Sequence, residues 1–203
     1  MAALFVAIEG LDGSGGTTQA RLLAAWLEAR DLEVVLTREP SDGLVGKFIR
    51  KALEPASEHG RLGEGVLPYL FAADRRDHVD RVIVPALQRG TAVVSDRYYH
   101  SSLAYQAPIM GLAAVAGLND AFPAPDLTVL LDLPAEKCLE RVRARGGAPE
   151  RFEALDRLRE IQDAYDSVVV HCRSHGESIV RIDASPSVEE VHQSVIREVG
   201  ALL

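Results

Sequence analysis

The chain is poor in cysteine, poor in lysine and without a long apolar segment. Cys138 and Cys172 are its only cysteines, too few for a disulfide framework or a zinc ligand set. No apolar stretch approaches the roughly 20 residues that a membrane helix requires. Acidic residues outnumber basic ones by 30 to 22, and the net charge of −8 argues against a broad basic face for nucleic acid. These deficits predict a protein that binds neither membrane nor nucleic acid.

What remains is the composition of an ordinary soluble globular protein. Of the 203 residues, 47% are hydrophobic and 26% are charged, which suits one domain over residues 1–203 with a sizeable core. The first apolar run begins close to Met1, which leaves no room for a signal peptide. We therefore expect a cytoplasmic location.

The most informative stretch is the glycine-rich segment GLDGSGGTT at 10–18. It matches the phosphate-loop pattern G-x-x-x-x-G-K-[ST] except that position 16 is glycine where the pattern has lysine. Glycines let backbone N–H groups converge on a phosphate, and the following helix N-terminus adds partial positive charge. The alternative is a strand-to-helix turn of another α/β protein. The residues expected to bind phosphate are Gly10, Gly13, Ser14, Gly15, Gly16, Thr17 and Thr18.

Apolar runs alternate with helical patterns along the chain, which predicts an α/β fold with a parallel sheet covered on both faces. Arg38 and Asp96 each follow a predicted strand, at the sheet edge where open parallel sheets bind ligands. Asp96 resembles a Walker B acid and, with the Thr17 hydroxyl, could hold magnesium. The predicted strands are 4–8, 33–37, 91–96, 127–133 and 178–182. The predicted helices are 18–29, 43–53, 66–87, 136–145, one opening at 150, and 188–202, and 98–106 begins a helical or irregular segment. Pro85 is expected to kink or shorten the last turns of the helix over 66–87.

Three groups of residues have a structural interpretation as well as a functional one. Arg38 could be an ordinary surface arginine, and Phe71 could belong to the core. His171, Cys172 and His175 have a spacing that faintly suggests a metal site, but a solvated helix end explains it better.

Six short stretches together resemble the thymidylate kinase family over nearly the whole chain. They are 9–15 (EGLDGSG), 37–40 (TREP), 71–75 (FAADR), 96–98 (DRY), 101–106 (SSLAYQ) and 125–128 (PDLT). The resemblance implies the P-loop fold of nucleoside monophosphate kinases, with a five-stranded parallel sheet and a lid near 143–152. It implies a homodimer that uses ATP and Mg²⁺ to convert dTMP into dTDP.

The resemblance also implies a role for each candidate residue. Asp12 would meet the deoxyribose 3′-hydroxyl and the Arg97 region, and Phe71 would stack on thymine. Arg75 would donate to a thymine carbonyl, and Tyr105 would crowd the sugar against a 2′-hydroxyl. Further contacts are implied for Arg38 and Arg97 on phosphate, for Ser101 and Gln106 on base or sugar, and for Arg143, Arg145 and Arg151 around the lid over ATP.

The chain departs from the family pattern at two places. The segment 41–43 is Ser-Asp-Gly where Gly-Gly-Thr is frequent, and Gly16 replaces the lysine that reaches the β- and γ-phosphates. Two alternatives follow: a degenerate kinase with a regulatory or scaffold role, or a kinase for another deoxynucleoside monophosphate. Losing one charge-stabilising donor costs about 10²–10³ in rate, whereas enzymes accelerate reactions by about 10⁶ or more. The intact acceptor-side residues therefore favour an active enzyme in which a lid arginine replaces the lysine.

Overall fold

The computed structural model describes residues 3–54, 62–144, 146 and 154–203. Five parallel strands form one sheet in the order β2-β3-β1-β4-β5. They are β1 (Phe5–Gly10), β2 (Val34–Arg38), β3 (Ala92–Asp96), β4 (Leu127–Asp132) and β5 (Ile179–Asp183). This confirms the predicted fold class and places each predicted strand within two residues of its observed bounds.

Helices connect the strands and bury the sheet. They are α1 (Gly16–Glu28), α2 (Leu44–Leu53), α3 (Leu67–His78), α4 (Val84–Gln88), α5 (Tyr99–Met110), α6 (Leu112–Gly117), α7 (Ala135–Ala144), α8 (Leu155–Ser174) and α9 (Val188–Gly200). Helix α1 packs with α9, whereas α5 packs with α8, so the two pairs cover opposite sheet faces.

The burial of each strand explains how well its position could be predicted from the sequence. β1 is buried along its whole length, and β3 and β4 are buried except at their last residue, so all three appear as apolar runs. The outer strands β2 and β5 are only partly buried. The strand register sets Ile8 and Arg38 opposite Asp96, so the ends of β1, β2 and β3 meet at one edge.

The helix predicted over 66–87 is present but not uniform. A π-helical turn, Val79–Ile83, separates α3 from α4, and Pro85 lies in the first turn of α4. Proline has no N–H and its ring crowds the carbonyl four residues earlier, so the backbone widens just before it. Pro85 was expected to kink or shorten the last turns; helical structure instead continues to Gln88, with the local widening just before the proline.

One further difference lies in the second half of the chain, where two other predictions are not tested. Helix α6 was not predicted; it follows Gly111, which has a positive φ of 85°. Residues 150–153, where a long helix was predicted to open, lie outside the described residues, and α8 runs from Leu155 with the extended residue Ala154 as its N-cap. Most of the predicted lid at 143–152, including Arg145 and Arg151, lies outside the described residues.

Candidate active site

The turn between β1 and α1 forms the floor of the candidate site, and two of its glycines are required for different reasons. A Cβ on Gly13 would come within 2.4 Å of the Cys138 carbonyl oxygen on α7, so only glycine fits there. Gly15, the N-cap of α1, has a left-handed φ of 105°, and a Cβ on it would meet nothing within 4 Å. A helix N-terminus beside such open space is an arrangement that binds phosphate.

Two neighbouring cavities open at this edge of the sheet. The larger, about 420 Å³, lies over the turn and is also lined by Arg38, Arg50 and Asp96. The smaller, about 100 Å³, shares Asp12 and Arg97 with it. The substrate-side residues predicted from the sequence, other than Arg38, all line the smaller cavity: Asp12, Phe71, Arg75, Arg97, Ser101, Tyr105 and Gln106.

Three polar side chains meet where the cavities join. Arg97 Nη2 donates to Asp12 Oδ1 at 2.8 Å, and the Tyr105 hydroxyl donates to Asp12 Oδ2 at 3.1 Å. The Arg97 guanidinium also lies 5.2 Å from the centre of the Tyr105 ring, within cation–π range. Burial raises the pKa of Tyr105 far above its usual value, and Asp12 adds to this effect. Tyr105 is therefore a neutral donor at physiological pH.

The backbone of Arg97 adopts a left-handed conformation with φ of 71°, which is uncommon for a residue with a side chain. Such a conformation costs about 1–2 kcal/mol. It is held by two hydrogen bonds: Arg97 N–H donates to the Ile8 carbonyl at 2.9 Å, and Ser95 Oγ donates to the Arg97 carbonyl at 2.7 Å. Strain of this kind often accompanies functional positions.

Thr17 and Asp96, the residues predicted to hold magnesium, are in direct contact. The Thr17 hydroxyl donates to Asp96 Oδ2 at 2.5 Å, at the join between α1 and β3. Both groups offer oxygen, the ligand atom that Mg²⁺ prefers. The donor set therefore fits a magnesium ion beside the phosphate loop.

The base-side residues lie deeper. Arg75 is 1% exposed; its Nε donates to Glu39 at 2.8 Å, its Nη2 to Ser102 at 2.9 Å, and its Nη1 to Asn119. Phe71 is half-buried and lines the smaller cavity, which supports the ligand-contact interpretation over the core one.

Gln106 adds a polar group to the wall of the same cavity. The residue is 3% exposed, and its Oε1 has no hydrogen-bond partner among the described residues. An unpaired buried amide oxygen is costly, and a ligand N–H at this wall would remove that cost.

Arg38, which was predicted to bind phosphate, lies near a second arginine, Arg50, which was not predicted. Arg38 is exposed and donates to Asp42 at 2.7 Å, and this bond holds the pKa of Asp42 below its usual value. Arg50 on α2 lines the larger cavity and bonds the Pro40 carbonyl and Asp42. Gly46 lets α2 approach this closely, because a Cβ there would come within 2.1 Å of the Ser41 carbonyl oxygen. Arg50 lies four residues after Gly46, and no motif in the sequence identifies it as a site residue.

Of the lid arginines, the structure describes only Arg143. Its side chain is exposed near the end of α7 and lines neither cavity. The structure therefore does not bring it to the site, and its predicted role over ATP is not tested.

The residues with metal-like spacing at the end of α8 do not act together. Cys172 is fully buried and faces His100 and Glu177, whereas His171 and His175 contact each other with ring centres 4.4 Å apart. The expectation of a solvated helix end holds for exposed His175, whereas Cys172 lies on the buried apolar face of α8. Burial raises the pKa of the Cys172 thiol, and Glu177 adds to this effect.

A comparison with protein families decides between the kinds of phosphate-loop protein. The model of the thymidylate kinase family matches residues 8–195. The chain belongs to the thymidylate kinase family. Family membership makes it a phosphotransferase of the kinase class, and the match extends from β1 into α9.

Named relatives agree with the family match over nearly the full length. A probable thymidylate kinase of Pyrococcus abyssi is 41% identical over 199 residues, covering 97% of this chain and 95% of its own. One from Thermococcus kodakarensis is 38% identical and covers 98% of both chains. A thymidylate kinase of Xanthomonas campestris is 41% identical over 88% of this chain and 80% of its own. Among the described residues, no helix is both long and apolar enough to cross a membrane.

Proposed function

We propose that this protein transfers the γ-phosphoryl group of ATP to dTMP, giving ADP and dTDP. The observation that carries the proposal is the wall that the two cavities share, to which Asp12 and Arg97 contribute together with Glu39, Pro40 and Leu53. ATP occupies the larger cavity with its phosphates on the 10–18 turn, and dTMP occupies the smaller one. Arg97 then lies between donor and acceptor phosphates. Positioning and charge neutralisation carry most of the catalysis in phosphoryl transfer.

Magnesium belongs to this proposal. Thr17 and Asp96 would hold it, and when bound the ion neutralises charge on the phosphate oxygens. The chain's own contribution is to keep these two oxygen ligands at the first turn of α1, next to the phosphate-binding N–H groups.

Base selection follows from the chemistry of the smaller cavity. Arg75 has five N–H donors, and its bonds to Glu39, Ser102 and Asn119 use four of them, so the fifth can meet a thymine carbonyl. The Gln106 amide oxygen can accept the N3–H of thymine, while Phe71 stacks on the ring. Cytosine has an amino group and an unprotonated N3 at these positions, so it presents the opposite pattern.

In this proposal, arginines supply the positive charge that a lysine at position 16 would otherwise bring to the phosphates. Arg97 and Arg50 line the larger cavity, and at least one of Arg143, Arg145 and Arg151 closes over ATP. Arginine suits phosphate because its planar guanidinium can donate two parallel hydrogen bonds. This arrangement favours an active enzyme over a degenerate homologue.

A homodimer completes the proposal. Leu44 and Phe48 on α2 and Tyr69 on α3 are exposed apolar side chains on two helices that pack together. A second copy of the chain covering this face would remove them from water. Light scattering on the purified protein should give twice the chain mass, and Leu44→Glu should shift it toward the single chain. The nucleotide substrates favour a cytoplasmic location.

An ADP-release assay tests the function directly. With Mg-ATP as donor, dTMP should give the highest kcat/KM among dTMP, dCMP, dGMP and dAMP at equal concentration. Preference for one of the other three would keep the kinase class but remove the dTMP assignment. Nucleotide binding without turnover for all four would favour the regulatory or scaffold alternative.

A further inference from the structure

Glu9, the penultimate residue of β1, is a buried carboxylate to which the proposed function gives no task. It is 1% exposed. Its Oε1 accepts hydrogen bonds from the N–H groups of Tyr98, at 2.7 Å, and Ser101, at 3.2 Å. Its Oε2 accepts from the hydroxyls of Ser101, at 2.6 Å, and Tyr165, at 2.9 Å. Each oxygen therefore faces two donors.

The first consequence concerns the strained peptide after Arg97. Ser95 Oγ holds the carbonyl of Arg97, and Glu9 Oε1 holds the N–H of Tyr98, so the peptide unit between Arg97 and Tyr98 is fixed at both ends. Together with the bond from the Arg97 N–H to the Ile8 carbonyl, these bonds fix the peptide units on both sides of Arg97 and hold its left-handed φ of 71°. Glu9 also accepts from the first turn of α5, where the N-cap residue Tyr98 makes no side-chain cap.

The second consequence concerns the Arg97 side chain. Because Ser101 Oγ donates its proton to Glu9, its lone pairs point toward other donors, and Arg97 Nη1 donates to it at 2.9 Å. The Nη2 group of the same guanidinium donates to Asp12 at 2.8 Å. A continuous chain of hydrogen bonds thus runs from Glu9 through Ser101 and Arg97 to Asp12.

We propose that Glu9 is a positioning residue that sets both the backbone conformation and the guanidinium direction of Arg97. The inference rests on the proposed role of Arg97 between the donor and acceptor phosphates. Glu9 lines the larger cavity, but both of its carboxylate oxygens are engaged by protein donors, so it acts through the Arg97–Tyr98 peptide and the Ser101 hydroxyl.

Glu9→Gln is a sharp probe because glutamine has nearly the same shape but cannot satisfy all four donors. Whichever way the amide is turned, its NH₂ group faces two donors. We expect kcat with dTMP to fall by about 10-fold to 100-fold, the order of loss produced when a reacting group is misplaced. The KM for ATP should change less than kcat does, because the 10–18 turn and Arg50, which also line the larger cavity, are left in place.

A double-mutant cycle with Arg97→Ala separates positioning from general support of the fold. If Glu9 acts through Arg97, Glu9→Gln should have little further effect on kcat/KM for dTMP once Arg97 is alanine. Losses that multiply in the double variant would overturn the inference. If Arg97→Ala alone keeps parental activity, the proposed role of Arg97 fails instead, so the two failures are distinguishable.

Glu177→Gln is the matched control. Glu177 also accepts from the first turn of α5, from the Tyr99 hydroxyl at 2.6 Å and His100 Nε2 at 2.9 Å, but it makes no bond to Arg97. We expect this variant to melt at a lower temperature with kcat unchanged. Glu9→Gln should lower kcat even at temperatures far below its melting point. An equal loss of kcat in the two variants would show that both carboxylates only support α5, against the proposal.

Discussion

Gly16 is the residue at which the phosphate loop departs furthest from its pattern, and its backbone does not require glycine. Unlike Gly13, Gly16 meets no backbone atom of another element; a Cβ would contact only Asp96 Oδ1, at 3.1 Å. It is the first residue of α1, a position open to ordinary side chains. The missing lysine is therefore a chemical difference that can be reversed by substitution.

Gly16→Lys tests whether arginines already supply the charge. If they do, kcat should rise by less than about tenfold, whereas restoring a lone missing donor is worth about 10²–10³. Gly16→Ala controls for the Cβ near Asp96 and should stay close to parental kcat. Turnover that appears only in Gly16→Lys would contradict arginine compensation and favour the degenerate-kinase alternative.

Tyr105 tests sugar selection. Its hydroxyl is held by Asp12, which fixes the ring beside the expected position of C2′. Tyr105→Ala should narrow the preference for dTMP over the ribose analogue by on the order of tenfold, the scale on which pockets distinguish small groups. Tyr105→Phe keeps the ring and should keep most of the preference. Equal losses for both sugars would make Tyr105 a packing residue.

Individual residues differed in how far the sequence revealed them. Asp12, Phe71 and Arg97 lie in recognisable motifs, and the fold brings them to one cavity wall. Arg50 and Glu9 could not be assigned roles in advance, because their importance comes from contacts across 10 to 156 residues of chain. Periodicity and local spacing carry no information about such contacts.

Among helices and strands, the buried elements were the predictable ones. The three central strands are mostly apolar, and such a pattern records burial on both sheet faces directly. The π turn before Pro85 was missed for another reason. It depends on how backbone hydrogen bonds are redistributed, and this leaves only a weak trace in hydrophobic periodicity.

Gly46 tests how α2 is seated against the site. Alanine there would place Cβ 2.1 Å from the Ser41 carbonyl oxygen, a contact with backbone that cannot rotate away. Gly46→Ala should lower the free energy of unfolding by about 1–3 kcal/mol through overpacking and, by displacing Arg50, raise the KM for nucleotide. Chemical denaturation and initial rates measure the two effects.

Gly117→Ala on α6 is the comparison for Gly46→Ala, since a Cβ at Gly117 would meet nothing within 4 Å. It should be neutral or stabilising by about 0.4–1 kcal/mol. Equal effects of the two substitutions would mean that the close approach of α2 is unimportant.

For the molecule as a whole, several acids are held in their charged form by the fold. The pKa values of Glu136, Asp183 and Glu190 are lowered, chiefly by hydrogen bonds to their carboxylates. Burial alone would raise the pKa of Glu177, but hydrogen bonds from His100 and Tyr99 outweigh it and lower the pKa. Burial lowers the pKa of His192 below its ordinary value of 6.5.

All of these pKa values are lowered in the folded protein, which predicts a loss of stability in acid. In each case the folded pKa lies below the unfolded one, so the unfolded chain binds more protons as pH falls. The free energy of unfolding should therefore decline first below about pH 6.5, as His192 is protonated in the unfolded chain, and more steeply below the ordinary glutamate value of 4.5. Urea denaturation at pH 8, 6, 5 and 4 measures the decline.

Glu177→Gln should lower the free energy of unfolding at pH 7 yet flatten its dependence on pH below pH 5, because the carboxylate that must be protonated is gone. Glu189→Gln removes the same charge from an exposed position and should leave the curve parallel to that of the parent. If the Glu177→Gln curve ran parallel to the parental curve as well, the bonds from His100 and Tyr99 would not be the source of the acid sensitivity.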